Sequence, residues 1–239
     1  MNVQNKTVII SGASRGIGRA TALRLAEHGA NVVATARNAD ELNQLVKEAT
    51  DGSVIGKIIA VPGDVSNEAD MAAVVKTALD QFKHIDVVIN NAGFGIFKNV
   101  EDLSVSEWDD VMATNVKGTF LLTKAALPAM KSHGSGHIVV VASDVAKRTF
   151  AGGSLYTASK YAQEAFMGAL RKEVRPFGIK VTGVYSGLVD SHFHNKPGAE
   201  SSKNWLKNED MAESMLFIVS RPAHVVIDEF MVHPLEQEY

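Results

Sequence analysis

Seven apolar runs recur along the chain, their starts 24 to 51 residues apart, each short and nearly free of charge. They lie near Thr7–Ile10, Asn31–Ala36, Lys57–Val61, Asp86–Ile89, His137–Ala142, Lys180–Tyr185 and Val225–Val232. Continuous rather than alternating hydrophobicity predicts strands buried on both faces. Between the runs the apolar positions recur at helical spacing, as in Ile17–Gly29. Strand and helix in strict alternation predict a parallel sheet with right-handed crossovers and helices on both faces. The expectation is an α/β, three-layer, doubly wound fold with a seven-stranded parallel sheet, formed by residues 1–239 as one domain. One stretch breaks the pattern. Residues 188–208 are rich in Ser, Asn, His and Gly and read as a long loop at the carboxyl edge of the sheet, either a substrate lid or a plain surface loop.

Composition narrows the function classes. The 239 residues carry a net charge of −3 with Lys and Arg scattered, so no nucleic-acid surface or polybasic membrane patch is expected. There is no cysteine, which excludes disulfides, thiolate catalysis and Cys-metal sites. The first strand begins within a few residues of Met1 and no apolar stretch reaches bilayer length, so a cytoplasmic location is expected. His192 and His194 flank Phe193, but an HxH in a loop without nearby cysteine or paired carboxylates is a poor metal site, and none is expected.

Two motifs carry chemistry. Ser11-Gly12-Ala13-Ser14-Arg15-Gly16-Ile17-Gly18 joins the first strand to the first helix. A glycine-rich turn at a helix N-terminus presents backbone N–H groups to an anion, and its glycines admit close approach; the alternative is an ordinary tight turn. In Ser154–Lys160, Tyr156 and Lys160 are four residues apart and share a helix face. An ammonium beside a phenol favours the phenolate and draws its pKa towards neutrality, giving a proton donor or acceptor. The same spacing also arises by chance in many helices.

These motifs, with Asn90-Asn91-Ala92-Gly93 and with Ser143 thirteen residues before Tyr156, stand in the order found in short-chain dehydrogenase/reductases, and from about Lys6 onward the chain resembles that family. The resemblance implies a Rossmann fold and NADP(H)-dependent hydride transfer between nicotinamide and a small ketone, aldehyde or hydroxy acid. It implies Tyr156 as general acid/base, Ser143 as the group holding the substrate oxygen, and Lys160 as the cation that tunes Tyr156 and binds the nicotinamide ribose. Asn115 matches the helix asparagine that carries a water chain to the lysine. Ser143 is alternatively a helix N-cap, and Asn115 a buried structural amide. The cofactor residues implied are Gly12, Ser14, Arg15, Gly16, Ile17, Gly18, Arg37, Asp64, Val65, Asn91, Ala92, Gly93, Tyr156, Lys160, Gly187, Val189 and Ser191. Asn90 and Asn91 are alternatively ties between strands.

Cofactor type follows from the end of the second strand. NAD binders place an acidic residue there, whereas an arginine suits the 2′-phosphate of NADP. The corresponding position is Ala36, followed by Arg37, and Arg15 lies in the glycine turn, so NADP(H) is expected; the alternative is two solvated arginines. The family's proline-glycine after the sixth strand is Ser186-Gly187 here, and its later threonine is Ser191. Candidate substrate contacts are Phe94, Ile96, Val145, Phe150, Leu188, His192, Phe193 and His194, with Trp205 and Leu206 closing a lid. Arg148 is either a carboxylate anchor or a rim residue. Alternatives to the main reading are a 3-oxoacyl thioester reductase and a non-catalytic NADP-binding sensor on the same fold. The helices of Asn115 and Tyr156 carry more apolar and small residues than one face needs, so a homodimer or homotetramer is expected.

Overall fold

The strands are β1 (Thr7–Ser11), β2 (Asn31–Thr35), β3 (Lys57–Ala60), β4 (Val87–Asn90), β5 (Gly136–Val141), β6 (Ile179–Ser186) and β7 (Glu229–Val232). In this computed structural model, which describes residues 2–191, 193 and 203–238, they form one parallel sheet in the order β3-β2-β1-β4-β5-β6-β7. The helices are α1 (Gly16–Glu27), α2 (Ala39–Asp51), α3 (Glu68–Phe82), α4 (Val105–Met112), α5 (Gly118–His133), α6 (Ser154–Val174) and α7 (Asn208–Val219).

The continuous apolar runs arise because each strand buries both faces. In β1, Val8 and Ile10 point into one core with Leu25, Leu42 and Met215. Ile9 points the other way, into a second core with Met71, Leu122 and Met167. This is the three-layer Rossmann arrangement. The chain leaves β1 for β2 on one side and later enters β4 on the other, so the order reverses between β1 and β4. Ligands of open α/β sheets bind at such a switch point, outside the carboxyl ends of the strands.

Local signals start the helices where the site needs them. Asn38 caps α2 by accepting from Glu41 N, and Asn67 caps α3 by accepting from Ala69 N and Asp70 N. Ser104 and Glu107 form a reciprocal capping box on α4. Two features depart from the sequence pattern. The last strand begins at Glu229, not Val225, because side chains take the carbonyls a longer ladder would use. Thr182 Oγ1 donates to Ile227 O, and Lys180 Nζ donates to Val225 O. Between α4 and α5, Ala113–Lys117 forms a π turn, which holds Asn115. Among the described residues, no helix is long and apolar enough to cross a membrane.

Candidate active site

Glycine shapes the first part of the site. The turn after β1 is fixed to the end of β2 by Ala13 N donating to Thr35 O at 3.2 Å. It is fixed to the loop after β4 by Asn91, whose Nδ2 donates to Ser11 O at 3.0 Å and Gly12 O at 3.1 Å. Ser11 Oγ accepts from the N–H groups of both Asn91 and Ala92. Asn91 thus ties β1 to β4. A side chain at Gly12, whose φ is +64°, would put Cβ 2.9 Å from Ala92 Cα. At Gly18 it would stand 2.3 Å from Gly12 O. The turn therefore has no room for side chains at the mouth of α1, where no side chain caps the helix. Bare backbone and an uncapped helix N-terminus fit a dinucleotide's phosphates.

Ser14 and Ile17 are half-buried beside the exposed Arg15. Arg37, just beyond β2, is also exposed, and among the described residues neither arginine makes an ion pair within 4.0 Å. Asp64, beyond β3, faces the same edge with Val65 buried behind it. Burial works to raise the Asp64 carboxyl. Hydrogen bonds from Ser66 N and Oγ and the charges of Arg37 and Lys117 overcome that, holding it below the usual carboxylate range. On the far side, Ser191 is buried and lies 3.8 Å from where a Gly16 side chain would begin. Gly187 packs against side chains rather than backbone. A Cβ there would meet Gln237 Oε1 at 2.2 Å.

The second part lies between β5 and α6. Ser143, two residues beyond β5, caps the 3₁₀ turn Asp144–Ala146, so the N-cap alternative holds as local structure. Its hydroxyl donates to Asp144 Oδ1 at 3.1 Å. Tyr156, on the first turn of α6, is buried against it. Burial holds the phenol well above the ordinary tyrosine value, a hydrogen bond with Ser143 opposes the rise, and the Asp144 carboxylate adds to it. Lys160 is buried as well, and burial pushes its ammonium down to about 7. Its Nζ lies 5.7 Å from the Tyr156 ring centroid and donates to Val141 O at 3.0 Å and Gln163 Oε1 at 2.9 Å. From sequence, the lysine is expected to draw the phenol down. In these residues by themselves desolvation is the larger effect, and the tyrosine keeps its proton.

Asn115 joins this group from the π turn. Its side chain brackets Phe94, accepting from Phe94 N at 3.0 Å and donating to Phe94 O at 2.9 Å. Its Nδ2 also donates to Ser159 Oγ, which donates in turn to Tyr156 O. Gly93 passes close by; a Cβ there would sit 3.7 Å from Lys160 Nζ. The Asn115 amide therefore has the structural role that sequence left open, and it holds α6 against the loop after β4.

An aromatic wall closes over Tyr156. Phe97 meets its ring edge-on at 5.4 Å, Phe193 lies 5.4 Å away, and Phe97 also contacts Phe150 and Phe193. Phe97 was missed from sequence, although its place three residues beyond Phe94 was a usable signal. Arg148 is not a free anchor: Nε and Nη2 both donate to Asp144 Oδ2, at 3.0 and 2.6 Å. The chain's end reaches the same carboxylate. Gln237 Nε2 donates to Asp144 Oδ2 at 2.8 Å, and its Oε1 accepts from Leu188 N at 2.7 Å. Val189 pairs with Leu206, so the stems of the 188–208 segment are joined. His192 and His194 lie outside the described residues. Among the described residues, no group of three or more His, Asp or Glu is placed to hold a metal.

Comparison with known proteins agrees with this geometry. The chain is 35% identical over 233 residues to an uncharacterized oxidoreductase of Staphylococcus haemolyticus, spanning 98% of this chain and 99% of that one. The structure of an alcohol dehydrogenase from the archaeon Thermococcus sibiricus, complexed with 5-hydroxy-NADP, superposes with a TM-score of 0.92. It shares 31% identity and 98% of each chain is covered. A 3-ketoacyl-(acyl-carrier-protein) reductase from Brucella melitensis, complexed with NADH, gives 0.88 at 29% identity, covering 98% of this chain and 99% of that one. Residues 6–201 match the short chain dehydrogenase family, and the chain belongs to that family of oxidoreductases.

Proposed function

We propose that this protein is an NADP(H)-dependent oxidoreductase acting on small, uncharged ketones or aldehydes and the corresponding alcohols. The observation that carries the reading is the buried convergence of Ser143, Tyr156 and Lys160 at the carboxyl edge, beside a glycine cradle that only bare backbone fits. A nicotinamide dinucleotide, when bound, supplies or takes up the hydride. Everything else is done by side chains. Ser143 turns its hydroxyl from Asp144 to the substrate oxygen. Tyr156, which holds its proton firmly, donates it to that oxygen as the carbon is reduced and recovers it in oxidation. The charged form of Lys160 stabilises the phenolate left behind. Asn115 keeps α6 in place.

The aromatic wall of Phe97, Phe150 and Phe193 offers apolar surface beside Tyr156 and favours an apolar substituent. Arg148 already serves Asp144, which weighs against a hydroxy acid held by its carboxylate. Exposed and, among the described residues, without an ion pair within 4.0 Å, Arg15 and Arg37 favour NADP over NAD. A 3-oxoacyl thioester reductase is the second reading, favoured by the likeness to the Brucella melitensis reductase. We read the 188–208 segment, of which residues 192 and 194–202 lie outside the described residues, as a substrate lid.

The test is oxidation of NADPH and NADH followed at 340 nm with small ketones, aldehydes, β-keto acids and a 3-oxoacyl thioester. Turnover with NADPH and an uncharged ketone or aldehyde is expected. Turnover confined to the thioester would replace the substrate assignment. Binding of NADPH with no turnover across the panel would favour a sensor.

A further inference from the structure

Gln163 lies one turn beyond Lys160 on α6 and is 1% exposed. Buried amides must be satisfied, and this one is satisfied entirely by the catalytic region. Its Oε1 accepts from Lys160 Nζ at 2.9 Å. Its Nε2 donates to the Asn115 main-chain carbonyl at 2.7 Å and to Thr119 Oγ1 at 2.8 Å. Thr119 Oγ1 itself donates to Asn115 O at 2.7 Å. That carbonyl belongs to the π turn, whose wider winding leaves it open to side-chain donors. Where the resemblance implied a water chain between the asparagine and the lysine, a side-chain amide makes the link directly.

The surroundings of Lys160 leave Gln163 a disproportionate share of the work. Tyr156 faces the ammonium from α6 itself, β5 offers only the Val141 carbonyl, and the loop after β4 offers Gly93. Asp144 bears on Tyr156, while among the described residues no carboxylate lies within ion-pair distance of Lys160. Burial is the cause of its lowered proton affinity. Two neutral oxygens thus hold the charge, and one of them is Gln163 Oε1.

We propose that Gln163 is a positioning residue of the active site, fixing the Lys160 ammonium to the π turn at Asn115 and setting the pH at which that lysine gives up its proton. The inference rests on the proposed function for its catalytic meaning but not for its geometry. A hydrogen bond accepted from the charged form favours that form. Gln163→Met keeps the volume and removes the acceptor, so Lys160 loses its proton about one pH unit lower, a tenfold fall in proton affinity. Gln163→Glu keeps an acceptor at the same place, so the midpoint stays or rises.

The experiment follows the Lys160 side-chain ¹⁵Nζ resonance through a pH titration of the whole protein without cofactor, the signal being assigned by its absence in Lys160→Arg. The pH profile of kcat/KM with NADPH is recorded beside it. Midpoints in the order Met below wild type, and Glu equal to or above it, with the kinetic profile moving alike, are expected. Midpoints unmoved in both variants, or a Glu midpoint below wild type, would overturn the proposal. Should the Met variant not fold, Gln163→Leu, which likewise lacks the acceptor, takes its place in the same comparison. The two readings fail separately. An inactive wild type with ordered midpoints removes the proposed function alone, and an active wild type with unmoved midpoints removes the role of Gln163 alone.

Discussion

Acid should weaken this fold through one histidine. His137, in β5, is almost wholly buried, and its Nε2 lies 2.7 Å from Thr182 Oγ1. Thr182 spends its own proton on Ile227 O at 2.6 Å, so Nε2 must carry the hydrogen and donate. Nδ1 is then the unprotonated nitrogen, and among the described residues it has no hydrogen-bond partner. Protonating it would place a cation with an unmatched donor in the core. Burial, reinforced by the charges of Lys180 and Lys6, pushes His137 down to about 3 from its ordinary 6.5. Between those values the unfolded chain binds a proton that the folded chain refuses, so stability falls as pH falls. The contribution is intact above 6.5. At about 1.4 kcal/mol per pH unit it loses roughly 2 kcal/mol by pH 5, and on the order of 5 kcal/mol once pH reaches 3. Gln keeps a donor for Thr182 and does not titrate. Urea unfolding of wild type and His137→Gln between pH 7.5 and 4.5 isolates the effect, since the carboxylates titrate in both. Wild type should lose stability relative to the variant by about 2 kcal/mol between pH 7 and 5. Parallel curves would refute the reasoning.

Three further outcomes follow from the same geometry. Gly18→Ala forces Cβ against Gly12 O; a strain of roughly 1–3 kcal/mol, or about 10- to 100-fold in NADPH affinity, should appear by fluorescence titration. Arg37→Ala removes a charged donor from the edge of the cofactor site, so NADPH affinity should fall by roughly 10- to 100-fold while NADH affinity holds; equal losses for both would sink the NADP assignment. Phe120 and Tyr161 are about two-fifths exposed on α5 and α6, and Phe120 borders a groove with Leu127 and Phe166; sedimentation at micromolar concentration should show a dimer or tetramer for wild type and monomer for Phe120→Glu.

Where the sequence was legible, a physical period or a forbidden side chain made it so. Strands such as Val32–Ala34 read as unbroken apolar runs because helices cover both sides of the sheet. The glycine turn was legible because Gly12 and Gly18 stand where any Cβ would collide with backbone. What escaped was set by partners distant in the chain. A sequence separation of 93 between Asp144 and Gln237 hides their hydrogen bond from any local pattern. The π turn at Asn115 differs from an α-helix by one residue in the span of its hydrogen bonds, and no residue type demands it. The start of β7 was misplaced because Val225–Ile227 look like strand, while Lys180 and Thr182 claim their carbonyls. Gln163 could have been found, since three residues beyond Lys160 on a helix is a neighbouring position. Its meaning came only with the carbonyl it reaches.

Whether Tyr156 delivers the proton is decided most directly by Tyr156→Phe. The substitution keeps the ring that packs on Phe97 and Phe193 and removes only the hydroxyl. With the best ketone or aldehyde from the panel, the account predicts a fall in kcat of about 10²- to 10⁴-fold, in a folded protein that still binds NADPH. Turnover within a few-fold of wild type would contradict it, and would move the proton donor elsewhere in the site.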